Sequence, residues 1–444
     1  MTRLTKHWFY CAVLLLPTPA LAQEADGYDL SGTIRVRYEA IENQPRVGFN
    51  RDDDLLNLRT TLMVKYRTGA VQLVAELWDS RVYGGDAGTP ITAGEVNTLE
   101  LAQAYVAADI GLGTTKAKVS AGRFTLNIGS RRLVAADDYR NTVSSYTGLR
   151  ADLAFRGGLS ATLIYVLPQQ RRPDDSDSLR RNAVAFDHEG FDQVLWGGTV
   201  AQARAIGPMA VEGTFYHLGE HDTPGRPTRD RSLDTYGGRM FSDRRSGKFD
   251  VELESFYQSG SVSASTAAGA AKLPVAAWFA HASTGYTFAV PWPLRLSVEY
   301  DRASGDHPGG SYGRFDTLYG MRRPDLAPAG LYNAIGRANI STPGVRLELT
   351  PSKRVDMMAT YHAFWLADRT DSFSTTGVRD PSGRSGAFAG HQIDTRVRWW
   401  VRPAKLRFEA DVIVLTKGAF LRNAPNAPAG GTTLYSSFNL TAMF

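Results

Sequence analysis

Apolar and polar side chains alternate at every second position along most of this chain. In GTIRVRYEA, Ile34, Val36, Tyr38 and Ala40 share one face, and Arg35, Arg37 and Glu39 share the other. NLRTTLMVKYR repeats the pattern, with Leu58, Leu62, Val64 and Tyr66 against Arg59, Lys65 and Arg67. GKFDVELESFY, PLRLSVEYD, GVRLELT, IDTRVRWWVR and KLRFEADVIV read the same way. A period of two is that of a β-strand whose two faces meet different surroundings. A slip of one residue would carry charges into the apolar side, so the register is strongly set. The final segment, LYSSFNLTAMF, keeps Phe438, Leu440, Ala442 and Phe444 on one face to its last residue. A fraying end of a soluble domain gains nothing from that.

The connections are as regular as the strands. Short ones fall near Thr68-Gly69, Ile110 to Thr115, Gly157-Gly158, Ala205 to Gly207 and Arg245 to Gly247, then at Val290 to Trp292, Pro351 to Lys353 and Pro403-Ala404. Long polar ones lie near 41–54, 81–97, 129–145, 168–192, 219–232, 261–274, 305–341, 367–390 and 417–432. Short and long alternate throughout, so the eight short and nine long connections join roughly eighteen strands. Such asymmetry between rims, with an even strand number, predicts an all-β fold. It is a single closed antiparallel transmembrane β-barrel with short periplasmic turns, long extracellular loops and both termini in the periplasm. Closure is required because an open sheet edge cannot be satisfied in lipid. Trp78, Tyr165, Tyr361 and Trp365 are expected in an aromatic girdle at one water boundary, and Tyr66, Trp292, Trp399 and Trp400 near the other, with Trp400 on the lumen face beside Arg398.

The N-terminus agrees with that compartment. Arg3 and Lys6 precede an apolar run from Trp8 to Leu16 and then Ala20-Leu21-Ala22, the pattern of a cleaved secretory signal over residues 1–22. Residues 23–444 then form the barrel, with no linker or shift in composition to divide them. Cys11 is the only cysteine, so disulfides do not hold the mature chain together. Losing Arg3 and Lys6 lowers the formal charge from +5 to +3. A mean hydropathy of −0.26 would suit a soluble protein, but alternating lipid-facing and lumen-facing residues average to such a value.

If the apolar faces meet lipid, the opposite faces surround a channel. Arg35, Arg37, Arg59, Arg123, Arg150, Arg295, Arg396 and Arg398 are its basic candidates; Arg156 and Arg407 belong to the same set, and Asp394 to an acidic one of similar size. Guanidinium groups bind carboxylates bidentately and stay charged at any relevant pH, which favours an anionic solute. The alternative is that bases and acids on adjacent strands pair and only stiffen the wall. The loop GSRRLVAADDYRN, with Arg131, Arg132, Asp137, Asp138 and Arg140, either folds inward as a constriction or lies outward against lipopolysaccharide. No metal-ligand spacing, phosphate loop or nucleophile elbow occurs, and neither a cofactor nor a nucleic-acid partner is expected. A Ser–His pair using His217, His281 or His362 is the one catalytic arrangement left open.

Three stretches resemble one family, the alginate-export porins of Gram-negative outer membranes: GRFTLNIGSRRLVAADDYRN, FDTLYGMRRPDLAPAGLYNAIGRANISTPGVRLELTPSKRVDMMATYHAFWLADRTD, and GHQIDTRVRWWVRP with KGAFL. The resemblance implies a monomeric eighteen-stranded barrel whose electropositive channel passes a polyuronate outward from the periplasm. It places Arg123, Arg132, Asp394, Arg396 and Arg398 in the pore, since these match the family's motifs. The expected function is passive passage of an anionic poly- or oligosaccharide, with an uptake porin for small solutes as the alternative. Expected partners are outer-membrane lipid and lipopolysaccharide, the glycan, and the barrel-assembly machinery through the C-terminal strand.

Overall fold

A computed structural model describes residues 26–137, 139–323 and 325–444; the expected signal segment lies outside them. The strands are β1 (Gly27–Glu42), β2 (Asp53–Thr68), β3 (Val71–Tyr83), β4 (Asn97–Leu112), β5 (Thr115–Thr125) and β6 (Ser145–Ala154). Next come β7 (Leu159–Pro168), β8 (Gln193–Ile206), β9 (Met209–Glu220), β10 (Ser232–Ser242), β11 (Lys248–Ser263) and β12 (Lys272–Phe288). The last six are β13 (Leu294–Ala303), β14 (Ile340–Ser352), β15 (Val355–Trp365), β16 (Phe388–Arg402), β17 (Leu406–Lys417) and β18 (Thr433–Met443).

Each strand pairs antiparallel with its neighbours in sequence, and β1 pairs with β18 to close an 18-stranded barrel. At the seam the Gly32 amide donates to the Phe444 carbonyl (3.0 Å) and the Phe444 amide returns the bond (3.1 Å). The Phe444 ring lies where a Cβ on Gly32 would stand, at 2.5 Å, so glycine there makes room for the terminal ring.

Burial along the strands is the reverse of a soluble protein's. On β13, Leu296, Val298 and Tyr300 are 45%, 52% and 39% exposed, while Arg295, Glu299 and Asp301 are 6%, 8% and 0% exposed. On β1, Ile34, Val36 and Tyr38 are exposed while Arg35, Arg37 and Glu39 are buried. A belt of exposed apolar side chains of this extent is stable only against an apolar solvent. Tyr165, Trp365, Tyr361, Trp292 and Trp399 face outward as a girdle requires. Trp78 does not: it is buried inside, its ring under the Arg59 guanidinium at 4.6 Å. Arg156 sits exposed in the turn between β6 and β7 rather than on the wall.

The apolar core lies at the long-loop end. Ile41, Leu55, Val82 and Leu415, near strand ends, pack with Leu126, Val134, Leu331, Tyr332, Ile335, Phe373, Val378 and Phe420 of the loops. The loops therefore fold into the barrel mouth rather than standing above it.

Candidate functional site: the plugged lumen

Two loops fill the lumen together. The 126–144 loop after β5 and the 304–339 loop after β13 meet in a parallel bridge, Val134 to Tyr319. The Tyr319 amide donates to the Leu133 carbonyl (2.9 Å), the Ala135 amide to the Tyr319 carbonyl (3.1 Å) and the Met321 amide to the Arg131 carbonyl (3.0 Å). Of the two courses open to the GSRRLVAADDYRN loop it takes the inward one, and it shares the constriction with a second loop whose sequence, LYGMRRPDLAPAGLYNAI, is too apolar for an exposed connection. That composition was the available signal.

The wall arginines hold the first loop by its backbone. Arg35 donates to the carbonyls of Tyr139 (3.2 Å) and Arg140 (2.8 Å) and to Asn141 Oδ1 (3.1 Å). Arg37 reaches the Tyr139 carbonyl at 2.7 Å and Arg59 the Arg140 carbonyl at 3.1 Å. Asn141, fully buried, donates to the Glu95 carbonyl at 2.9 Å. Backbone carbonyls, which carry no formal charge, take up part of the donor capacity of these guanidinium groups, and Arg37 also lies 3.7 Å from Glu39.

Arg132 fixes the plug to the opposite wall. Its Nε and Nη2 donate to the two Asp325 oxygens, both at 2.8 Å, and Nη1 donates to Glu252 and Glu254 of β11, both at 2.6 Å. Burial opposes both charges of the Arg132–Asp325 pair. The opposing groups outweigh it, so the Arg132 guanidinium is held well above its ordinary pKa and the Asp325 carboxyl well below. Arg337 adds a second bond to Asp325. Arg323 donates to Glu409 (3.0 Å) and Asp411 of β17 and lies over the Tyr139 ring at 3.9 Å. At the other side of the mouth, Asp187 accepts two bonds from Asn97 at 3.0 Å. Burial, and then Glu100, push its carboxyl up to about 7.

Below the plug, toward the short-turn end, lies a cavity of about 370 Å³. Ten arginines line it (Arg35, Arg59, Arg131, Arg132, Arg244, Arg323, Arg346, Arg396, Arg398 and Arg407) against five carboxylates (Glu252, Asp325, Glu348, Asp356 and Glu409). Arg398 is paired with Asp356 at 2.8 Å, and Arg396 reaches the same carboxylate only at 3.4 Å. Arg407 is 3.9 Å from Glu409, and Arg131 makes no ion pair among the described residues. A second cavity of about 340 Å³ lies on the loop side, where Arg226, Arg231 and Arg314 are each bound to a carboxylate.

Of the residues expected in the pore, Arg35, Arg59, Arg132, Arg396, Arg398 and Arg407 line the lower cavity, whereas Arg37, Arg123, Arg150, Arg295 and Asp394 do not. Arg37 is fully buried behind the plug, 3.7 Å from Glu39. Arg123 pairs with Glu100 (2.6 Å) and Glu189 (2.7 Å), Arg150 with Asp152 (2.7 Å), and Arg295 with Asp250 (2.6 Å) and Glu348 (2.9 Å). Asp394 is buried in the wall of β16. The three histidines considered for catalysis each face a carboxylate: His217 meets Asp234 (2.7 Å), His281 meets Asp301 (2.9 Å) and His362 meets Glu299 (3.0 Å).

A barrel closed within one chain, greasy outside and charged inside, with short turns at one rim and loops plugging the other, is an outer-membrane channel of a Gram-negative cell. The alginate export family model matches residues 27–432, and the chain belongs to that family. Among solved structures it is similar to OpdL of Pseudomonas aeruginosa, with 11% identity, 94% of this chain and 98% of that one covered, and a TM-score of 0.60. A BenF-like porin from Pseudomonas fluorescens Pf-5 gives the same values. OccD3 (OpdP) of Pseudomonas aeruginosa shares 14% identity over 94% of this chain and 91% of that one, with a TM-score of 0.58. These likenesses bear on the fold. No curated protein matches the chain in sequence. Family and fold are those of channels, which are typically not enzymes.

Proposed function

We propose that this barrel passes an anionic poly- or oligosaccharide, a polyuronate of the alginate kind, passively outward from the periplasm. The observation that carries the reading is the twofold excess of arginine over carboxylate around the lower cavity, where the carbonyl-bound Arg35 and the loosely paired Arg396 and Arg407 keep their charge. Sugar carboxylates are matched by guanidinium forks, and a chain of them crosses a series of such groups without resting deeply at any one. Membership in the alginate export family supports the same substrate class. Arg35, Arg59, Arg132, Arg396 and Arg398 act in this reading as the selectivity surface, and Arg37, Arg123, Arg150, Arg295 and Asp394 support the wall and plug. Cleavage of residues 1–22, contact with lipopolysaccharide at the loop rim, and recognition of the strand ending at Phe444 by the assembly machinery belong to the same proposal.

One observation favours a second reading, an uptake porin for small solutes. The plug leaves two modest cavities of about 370 and 340 Å³, which suit a small solute without loop movement. Planar bilayers separate the two. Oligouronates added on the short-turn side are expected to interrupt the current in brief blockades, while neutral dextrans of equal length do not. Free permeation of monomeric carboxylates with no oligouronate blockade would favour the uptake reading instead.

A further inference from the structure

Behind the plug, the inward faces of β11, β12, β13 and β14 carry a row of opposed residues: Glu254 pairs with His281, His281 with Asp301, and Asp301 with Thr342. Residues directly opposite across antiparallel strands hold their Cβ atoms about 5 Å apart. Asp325 of the 304–339 loop lies against this row, and donor atoms of His281, Asp301 and Asp325 lie within 4.8 Å of one another. Two oxygens here are buried without a hydrogen-bond partner among the described residues, Asp301 Oδ2 and Thr342 Oγ1, each on a residue that is 0% exposed. Such groups cost free energy unless something occupies them. Asp325 Oδ1 accepts only from Arg132 Nη2, which leaves it a lone pair.

Charge points the same way. Six carboxylates (Glu212, Glu252, Glu254, Glu299, Asp301 and Asp325) surround four guanidinium groups (Arg132, Arg239, Arg337 and Arg346) in this buried wall. Carboxyl groups thus outnumber guanidinium groups six to four, with His281 and His362 standing among them. We propose that His281, Asp301, Asp325 and Thr342 bind one divalent cation of the zinc or manganese kind. One imidazole with two carboxylates and a hydroxyl is a donor set of that borderline character. Tetrahedral zinc sets its donors about 3.4 Å apart, so small rotations bring the His281, Asp301 and Asp325 donors together, with Thr342 beside Asp301 in the strand register. A protonated His281 would add charge but would leave the Thr342 hydroxyl and the second Asp301 oxygen unused. The ion ties the 304–339 loop to β12 and β13, so the plug is fastened by metal as well as by Arg132.

The test uses the full barrel refolded in detergent, stripped with chelator and dialysed against micromolar Zn²⁺ or Mn²⁺. Elemental analysis should return one ion per chain, and hydrogen exchange over residues 321–327 should slow about tenfold on addition of the ion. The near-isosteric Asp301→Asn should lose the bound ion, and Thr342→Val, which keeps shape and volume, should weaken it measurably. Heat-modifiable gel mobility verifies that both variants are closed barrels. A metal-free wild-type chain under these conditions, or an Asp301→Asn variant that retains the ion, overturns the proposal.

Discussion

Arg132→Ala is expected to raise single-channel conductance several-fold and to make the current noisy. The substitution leaves Glu252, Glu254 and Asp325 facing one another without the cation they share. Removing one partner of a buried ion pair costs about 3–5 kcal/mol, because the remaining charge stays desolvated. The hydrogen bonds from Arg35, Arg37 and Arg59 to the Tyr139 and Arg140 carbonyls still hold that stretch of the first loop to the wall. The 304–339 loop keeps Arg323 on β17, the Arg346 bond to the Asp325 carbonyl and the Gln44 and Arg46 bonds to the Leu331 carbonyl, so the loosening centres on the stretch around the Asp325 side chain. The two loops are joined by backbone bonds on either side of Tyr319, so motion of one passes to the part of the other around Leu133. Arg132→Lys should fall between, since a single ammonium cannot reproduce the two-pronged bond to Asp325. An unchanged conductance in Arg132→Ala would mean that the plug is not held by this residue.

The second large effect concerns the sign of the permeant ion. The wild-type barrel should prefer anions, and the triple variant Arg396→Glu, Arg398→Glu, Arg407→Glu should prefer cations. The arithmetic at the cavity is direct: ten arginines against five carboxylates become seven against eight. Each unit charge within about 8 Å of the path contributes roughly 1 kcal/mol at a dielectric between those of protein and water. Six units of change are therefore ample to move the permeability ratio by more than about tenfold, since about 1.4 kcal/mol suffices for that. The preference should fade in molar salt, where the screening length falls to about 3 Å. Cation preference in the unaltered barrel would refute the selectivity surface, and persistent anion preference in the triple variant would place it elsewhere.

Most of the barrel was legible because one physical constraint writes itself into every strand. Leu296 and Val298 must meet lipid and Arg295 and Glu299 the charged interior, so the period of two survives along the strand, and turn chemistry marks the short rim. The site was legible only in part. Arg35 and Arg37 were placed inside by the alternation, but their partner, the Tyr139 carbonyl, depends on the path of a loop far away in sequence. Asp394 and Arg396 share a face of β16, yet only Arg396 reaches the cavity. Arg323 and Arg337, which hold the plug, lie in a loop without periodicity, where only the excess of apolar residues hinted at burial. Trp78 was misplaced because a tryptophan near a strand end suits a girdle and an inward cation–π contact equally well; Arg59 decided it. Register notches are invisible in sequence too: Gly344 admits the His362 ring, which would stand 2.5 Å from a Cβ there.

The sidedness of the wall can be read residue by residue on β13. In a Cys11→Ser background, single cysteines at positions 296 to 300 are spin-labelled in reconstituted barrels, and collision rates are measured with oxygen, which concentrates in lipid, and with a water-soluble nickel chelate. Labels replacing Leu296, Val298 and Tyr300 should collide with oxygen and be shielded from nickel, while those replacing Ser297 and Glu299 should show the reverse or be shielded from both. Nickel access at positions 296 and 298, or loss of the alternation, would contradict a barrel wetted outside by acyl chains and inside by water.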